Sequence, residues 1–411
     1  MIKPESTVCE PEFTQQDSAP TLGVYIQVPF CASKCAFCNF SSKVAHRSTF
    51  DVYGEALGIE IASLRSVYAS AGIPPAVCDL SVDSVYFGGG TPSLLGAERL
   101  RRLVRALRRG FHFDGSCEFT IEVTPGSADE FLLATLRDWG INRISIGAQS
   151  FDDRELRAVG RLHTSSETVE LARAARRAGL GNIGLDLIAG LPHQTDSSWR
   201  ASLRAALDLE PEHISIYLFE IDEKSRLGAE VMREGTRYHA AAVPDEDFMA
   251  DAYEAARERL ASEGYVQYEI SNFALPGFES RHNRKYWQLK PYVGLGAGAH
   301  SFDGVLRWSN ETAVEVYQDK ISRRQSPIAE KRALSPEQQL EEFFFLGLRQ
   351  KEGVHLAQAH RRWGQNEVGR WESTIAALAR DGWIEKRAGR IALRQDAYLV
   401  SNEVFQEFLS G

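Results

Sequence analysis

The run Val28-Pro-Phe-Cys-Ala-Ser-Lys-Cys-Ala-Phe-Cys-Asn-Phe40 carries three cysteines in a C-x3-C-x2-C spacing. Thiolates are the usual ligands of iron-sulfur clusters, and so short a loop brings Cys31, Cys35 and Cys38 to one point. Three thiolates can hold three irons of a cubane and leave the fourth iron open. The spacing therefore predicts a 4Fe-4S cluster with an open iron. The alternative is a structural zinc site, for which His46 is the nearest fourth ligand.

The composition is typical of a cytoplasmic protein with a large core. The chain has 411 residues, 43% of them hydrophobic, and a net charge of -9. This charge argues against a general nucleic-acid binder, which needs a basic surface. No apolar run approaches a membrane span of about 18 residues, and residues 1–19 lack the features of a signal peptide. Six cysteines, three of them clustered, fit a reducing compartment better than a disulfide framework.

Short apolar runs alternate with helical patterns that end in Gly, which is typical of β-α units around a parallel sheet. Six strands are predicted, each leading into a polar or glycine-rich turn. They cover residues 23–28, 81–87, 118–123, 143–146, 183–188 and 213–217. Ligands bind beyond the carboxyl ends of such strands. The predicted fold class is α/β, with too few strands for an eight-stranded barrel.

The cysteine spacing and the neighbouring Phe37 resemble the radical S-adenosylmethionine (SAM) superfamily. The resemblance implies a partial (β/α)6 barrel in which the amino and carboxylate groups of the methionine part of SAM chelate the open iron. A reduced cluster then cleaves SAM to methionine and a 5'-deoxyadenosyl radical. The protein's part is to position the cluster and SAM and to exclude water from the site.

The same resemblance implies the residues that hold SAM. The glycine-rich turn would lie against the methionine amino group, because glycines let the backbone approach a ligand closely. Arg161 would pair with the methionine carboxylate. The implied SAM-binding residues are Tyr25, Gly88, Gly89, Gly90, Thr91, Glu122, Gln149, Arg161 and Asp186. Taken singly, the glycine-rich turn is also typical of a strand-to-helix junction capped by Thr91. Each polar residue, taken singly, could also be a hydrogen-bonded structural group at the rim of a barrel.

A narrower resemblance follows from longer motifs. The chain is similar to the oxygen-independent coproporphyrinogen III oxidase family over residues 22 to 411. The motifs are Tyr25-Ile-Gln-Val-Pro-Phe-Cys31, Tyr86-Phe-Gly-Gly-Gly-Thr-Pro-Ser93, Gln149-Ser-Phe-Asp152, Gly160-Arg-Leu-His163, Leu185-Asp-Leu-Ile-Ala-Gly-Leu-Pro192 and His213-Ile-Ser-Ile-Tyr217. The true oxidases carry one more cysteine two residues past the third ligand, where this chain has Phe40. The HemW-type heme chaperones have an aromatic residue there.

That branch also carries a His-Asn-x-x-Tyr-Trp motif, present here as His282-Asn283-Arg284-Lys285-Tyr286-Trp287. An imidazole nitrogen is a common axial ligand of heme iron, and aromatic rings can form a flat wall for a porphyrin. His282 and Tyr286 are therefore predicted to contact heme. The alternative is a hydrogen-bonded His and a core Tyr-Trp pair.

Three positions depart from the family pattern. Gln27 stands where relatives usually have His, and Asn39 replaces a usual Asp. Residues 220–225 diverge from the usual Glu-x-Gly-Thr. No cluster ligand is lost, but Gln27 cannot move protons as His can.

The C-terminal part changes pattern near residue 331. Ser335 is a predicted N-cap with Pro336 in the first turn, 368–381 a second helix, and 384–393 a hairpin. Together they resemble a small winged-helix-like domain. The predicted division is a disordered tail at 1–21, a radical SAM core at 22–230, an α+β extension at 231–330 and this domain at 331–411.

These expectations favour a radical SAM heme chaperone that carries heme to apo-hemoproteins, for which membrane-bound respiratory enzymes are one candidate class. The first alternative is a coproporphyrinogen III oxidase, which decarboxylates two propionates to vinyl groups. The second is a zinc-stabilised binding protein.

Overall fold

The computed structural model describes residues 19–409, in which strands and helices alternate. The strands are, in chain order, β1 Thr21–Val28, β2 Phe30–Cys31, β3 Lys43–Val44, β4 Ser81–Gly89, β5 Phe113–Val123, β6 Arg143–Gln149, β7 Ile183–Ala189, β8 His213–Leu218, β9 Val266–Gln267, β10 Asn272–Ala274, β11 Tyr292–Leu295, β12 His300–Phe302, β13 Leu306–Asn310, β14 Ile328–Ala333, β15 Val354–His355, β16 Ile384–Arg387 and β17 Arg390–Leu393. Most of the predicted tail, with Cys9, lies outside the described residues.

The α-helices mostly follow the strands on the outside of the sheet. They are, in chain order, α1 Arg47–Ser70, α2 Gly96–Gly110, α3 Glu130–Asp138, α4 Asp153–Ala158, α5 Ser165–Arg177, α6 Asp196–Leu207, α7 Arg226–Val231, α8 Glu246–Ser262, α9 Arg281–Trp287, α10 Val314–Ser322, α11 Pro336–Gly347, α12 Leu356–Trp363, α13 Gln365–Gly369, α14 Glu372–Arg380 and α15 Ser401–Gln406.

Twelve strands form one open sheet in the order β14-β13-β12-β11-β1-β4-β5-β6-β7-β8-β10-β9. The seven from β11 to β8 are parallel, and antiparallel strands extend both edges. The six predicted strands are β1 and β4 to β8, which confirms the α/β class and the partial barrel. β11 was not predicted as a strand.

The core explains why the sheet forms. Leu22, Val24, Ile26 and Val28 lie on one face of β1, and all four are fully buried in the hydrophobic core. The opposite face carries Gly23, Tyr25 and Gln27, so β1 alternates between an apolar face and a more polar one. The strands therefore hold their carboxyl ends, and the loops that follow, at one edge.

The C-terminal segment forms a separate sheet in the order β15-β17-β16, beside α11 to α14. Ser335 caps α11 with its side chain on the Gln338 amide, as predicted. The predicted single helix at 368–381 is wrong, because α13 ends at Gly369 and α14 begins at Glu372. The hairpin of β16 and β17 is confirmed. The domain boundaries stay predictions.

Candidate functional site

A cavity of about 730 Å³ opens at the carboxyl ends of the parallel strands. Its size is typical of a small-molecule site. Ten of the predicted site residues line it, namely Cys31, Cys35, Cys38, Gly89, Gly90, Thr91, Glu122, Gln149, Arg161 and Asp186. The other four, Tyr25, Gly88, His282 and Tyr286, lie behind its wall.

Cys31 ends the short strand β2, Cys35 and Cys38 lie on the loop that follows, and all three have free thiols. Burial raises the pKa of the Cys31 thiol, and the charges of Cys35 and Cys38 add to this effect, so the three sulfurs are neighbours. Within residues 19–409, no three Cys, His, Asp or Glu side chains converge as ligands of one ion would. Thiolates that bind separate irons of a cluster need not converge on one atom. The donor set therefore fits a cluster.

His46, the candidate fourth zinc ligand, has a structural role in this conformation. Its side chain accepts the Ser48 amide at the N-terminus of α1. A side chain of this kind satisfies one of the amides that a helix end leaves without a partner.

Arg161 and Gln149 lie beside the cysteine loop. Arg161 donates from Nη2 to the Gly147 carbonyl at 2.7 Å and from Nη1 to Cys35 Sγ at 3.5 Å, and its buried Nε has no partner. Gln149 ends β6 with a backbone φ of 67°, which is uncommon for any residue other than glycine. Its amide lies over Gly147, on the side of Arg161. The pair presents unused donors to the cavity, which suits a carboxylate.

Glu122 on β5 and Asp186 on β7 both line the cavity. Glu122 accepts from Tyr86 Oη at 2.9 Å and from the Gly89 amide at 3.1 Å. Burial, and then repulsion by Asp186, raises the pKa of Glu122 to about 7. Asp186 accepts from the hydroxyls of Ser145 and Ser215, and burial raises its pKa. The site thus holds two poorly solvated acids whose charges repel each other.

Replacing Glu122 by Gln is expected to flatten the pH dependence of stability. Between the ordinary pKa of 4.5 and the raised pKa of about 7, the folded state holds more protons than the unfolded chain. Stability therefore falls as pH rises through this range, by at most about 3 kcal/mol. The amide of Glu122→Gln cannot ionise, so the variant loses this fall. Denaturant titrations between pH 4 and pH 9 measure it.

The control for this prediction is Glu60→Gln. Burial also raises the pKa of Glu60 to about 7, but Glu60 lies in a separate network with Tyr317 and Asn310. The two substitutions should each remove their own part of the slope, and the parts should add. An unchanged slope in Glu122→Gln would contradict the prediction.

Tyr25 and Gly88 support the site from behind. Tyr25 donates to Gln27 Oε1 at 2.9 Å, and its ring stacks on Tyr86. A Cβ on Gly88 would lie 3.0 Å from both Tyr25 Oη and Glu122 Oε1. The glycine therefore leaves room for the side chains that position the Glu122 carboxylate.

His282 is buried at the far end of the barrel, with 1% of its surface exposed. Nδ1 lies 3.1 Å from Ser84 Oγ, and Nε2 lies 2.9 Å from Tyr286 Oη. Burial lowers the pKa of His282 to about 3, so the ring is neutral. Contact with heme iron requires one of these two hydrogen bonds to break. Of this motif, Asn283 is the residue that lines the cavity.

Several lining residues were not predicted as site residues, because they lie within strands rather than after them. Arg143, Ser145 and Gly147 alternate along β6, and His213, Ser215 and Tyr217 alternate along β8. Residues two apart on a strand share a face. Polar side chains at this spacing in apolar strands were the available signal.

Two of the departures from the family pattern contact each other. Asn39 donates to Asp222 Oδ2 at 2.8 Å. The usual Asp at position 39 would place a second carboxylate against Asp222. The amide at 39 therefore compensates for the acid at 222.

The mouth of the cavity is apolar and open. Phe40 is 66% exposed, Leu162 73% and Tyr217 41%, and all three line the cavity. An exposed apolar surface at a cavity is typical of a binding site for an apolar ligand or partner.

Among residues 19–409, no helix has both the length and the apolar character needed to cross a membrane.

Comparisons with known proteins agree with this geometry. The sequence model of the Radical SAM superfamily matches residues 25–206, and that of the HemN C-terminal domain matches 334–400. The solved structure of coproporphyrinogen III oxidase (HemN) from Escherichia coli superposes with a TM-score of 0.81 at 24% identity, covering 95% of this chain and 90% of that chain. This similarity shows the fold.

Curated relatives show the family. The heme chaperone HemW of Bacillus subtilis is 34% identical over 386 residues, which are 94% of this chain and 98% of the relative. The heme chaperone HemW of Lactococcus lactis is 32% identical, with 94% of this chain and 96% of the relative covered. The chain belongs to the HemW heme chaperone family, within the radical SAM superfamily.

Proposed function

We propose that this protein binds a 4Fe-4S cluster, SAM and heme in the cytoplasm and delivers heme to apo-hemoproteins. Membrane-bound respiratory enzymes are the recipients we would examine first. The observation that carries the proposal, beside family membership, is the exposed Phe40 at the mouth of the cysteine-lined cavity. In the oxidases a cysteine occupies this position.

The residues divide the work as follows. Cys31, Cys35 and Cys38 would ligate the cluster, and Arg161 would bind the SAM carboxylate through its unused Nε. Glu122 would accept from the ribose hydroxyls. The remaining SAM contacts would come from Tyr25, Gly88, Gly89, Gly90, Thr91, Gln149 and Asp186. The cluster and SAM, when bound, supply one-electron chemistry.

Heme is a flat apolar ring with two carboxylates, and a carrier must hold it in reach of a recipient. An exposed aromatic side chain beside an open cavity meets this need, because a ring can stack on it without a conformational change. The proposed contacts from His282 and Tyr286 require the motif helix α9 to open first. His282 is neutral, as an iron ligand must be.

The test is an anaerobic heme titration of the cluster-reconstituted protein, run beside an assay of coproporphyrinogen consumption. We expect stoichiometric heme binding and no decarboxylation. Phe40→Ala should weaken heme binding about tenfold or more, since burying a Phe side chain contributes about 1.5–3 kcal/mol. The matched control is Phe131→Ala, because Phe131 is 76% exposed and does not line the cavity.

The same titration with His282→Gln and Tyr286→Phe examines the motif. Both variants keep most of the side-chain volume, so far-UV circular dichroism should remain unchanged. Weaker heme binding in His282→Gln supports iron contact. SAM-dependent decarboxylation by the wild-type protein would instead make the protein an oxidase, and absence of heme binding with the cluster intact would overturn the carrier function.

A further inference from the structure

Arg143 is a buried cation whose N–H groups have no hydrogen-bond partner. It begins β6 inside the barrel, with 1% of its surface exposed, and lines the cavity. Within the described residues its guanidinium makes no hydrogen bond or ion pair, and its Nε is buried without an acceptor. Burial lowers the pKa of Arg143, but the negative charges of Glu118 and Asp186 outweigh this effect and raise the pKa, so the cation is stabilised while its N–H groups have no acceptor. Because buried N–H groups usually have acceptors, we expect a bound molecule to supply the acceptor here.

The neighbouring acids are occupied by other donors. Asp186 accepts from the hydroxyls of Ser145 and Ser215. Glu118 accepts the amides of Arg281 and His282 at 2.9 and 3.1 Å. Neither carboxylate lies within ion-pair distance of Arg143.

His213 presents a second donor without an acceptor. Its Nε2 lies 2.8 Å from Tyr268 Oη, and that oxygen accepts the Ser280 amide at 3.3 Å. Nε2 is the one acceptor that the described residues offer to the Tyr268 hydroxyl, so we assign the Tyr268 proton to this hydrogen bond. Burial holds the pKa of His213 well below its ordinary value, so the ring is neutral and carries its single proton on Nδ1. Nδ1 is buried and has no partner.

These groups converge on one point above Gly184. A Cβ placed on Gly184 would lie 3.4 Å from Arg143 Nη2, 3.4 Å from Ser145 Oγ and 3.5 Å from His213 Nδ1. The register explains the convergence, because Ser145, Gly184 and His213 lie opposite one another on β6, β7 and β8. The missing side chain leaves space for an atom that accepts from both donors.

We infer that this point is a carboxylate-binding subsite at the deep end of the cavity, formed by Arg143 and His213 over Gly184. It is distinct from the proposed SAM carboxylate partner, Arg161. The carboxylate has two sources, a small free carboxylate or a propionate arm of heme, and the second source rests on the proposed function. A carboxylate suits two fixed N–H donors better than a neutral acceptor does, because one of them is charged.

Two variants test the subsite. Arg143→Gln removes the charged donor. Gly184→Ala fills the space with a methyl group at ordinary contact distances, and its backbone needs no positive φ, so the variant should fold. The matched control is Gly115→Ala, a strand glycine with nothing within 4 Å.

The first measurement is thermal unfolding of the cluster-reconstituted protein, with and without SAM, in sodium propionate against sodium chloride of equal ionic strength. Propionate should raise the unfolding temperature of the wild type and of Gly115→Ala, and its affinity should fall tenfold or more in Arg143→Gln and Gly184→Ala. The second measurement compares heme with heme dimethyl ester. The wild type should bind the ester more weakly than heme. Each of the two variants should bind the ester and heme with equal affinity.

A response in the propionate arm alone assigns the subsite to a small free carboxylate, and a response in the ester arm, with or without one in the propionate arm, assigns it to heme. If neither ligand distinguishes the wild type from the two variants, the inference is overturned and the point holds water. Failure of heme to bind at all would remove the proposed function but leave the propionate arm decisive.

Discussion

Replacing any one of Cys31, Cys35 and Cys38 by Ala is expected to abolish the iron-sulfur cluster. Each thiolate would bind a different iron, and two ligands do not retain a cubane in a cavity open to solvent. Iron per chain and the visible absorbance after anaerobic reconstitution should fall to the background. SAM binding should weaken with them, because the open iron is one of its contacts.

Cys117→Ala is the matched control for this experiment. Cys117 is a free, partly buried thiol on β5 that donates weakly to a backbone carbonyl and does not line the cavity. It should keep a full complement of iron. Elemental analysis separates the alternatives. Zinc without iron in the wild type would favour a structural zinc site, and a full cluster in any of the three variants would contradict the assignment of the ligands.

The strands and the cluster loop could be predicted because their signals are local. An apolar run that ends in a polar or glycine-rich turn places a residue at a strand end wherever the strand lies in the sheet. Glu122 and Asp186 were predicted near strand ends in this way, their roles came from the family resemblance, and both line the cavity. β11 was missed because its four residues pair with β1 from nearly 270 positions away. Its glycines suggested only a close backbone approach.

The deep end of the cavity has a weaker signal in the sequence for a related reason. Arg143 and His213 begin their strands, and whether such side chains face the interior depends on twist and register, which non-local pairing decides.

The motif at 282–287 has a clear sequence signal, but the signal does not show whether its side chains are free to bind a ligand. Its residue types suit heme, but only the fold reveals that both ring nitrogens of His282 already have partners.

Gly90→Ala is expected to displace the cluster loop and to lower the free energy of unfolding by about 1–3 kcal/mol. A Cβ at this position would overlap the Phe30 carbonyl oxygen and lie 2.8 Å from Phe30 N. The close approach is built into the sheet edge, since the Gly90 amide donates to Val28 O at 2.8 Å and the Thr91 amide donates to Phe30 O at 2.7 Å. Phe30 directly precedes the first cluster ligand.

A control variant distinguishes a local displacement of the cluster loop from a general loss of stability. Gly58→Ala, in the middle of α1 with nothing within 4 Å, should instead raise the free energy of unfolding by about 0.5–1 kcal/mol, because Ala is the better helix former. Denaturant titration measures the free energy of unfolding of both variants, and elemental analysis measures their iron content. Gly90→Ala should lose iron even at temperatures where it is fully folded, since the backbone that carries Cys31 must move to admit the methyl group. Normal stability and full cluster content in Gly90→Ala would show that the loop tolerates the shift, and that the glycine is not what brings β4 against the cluster loop.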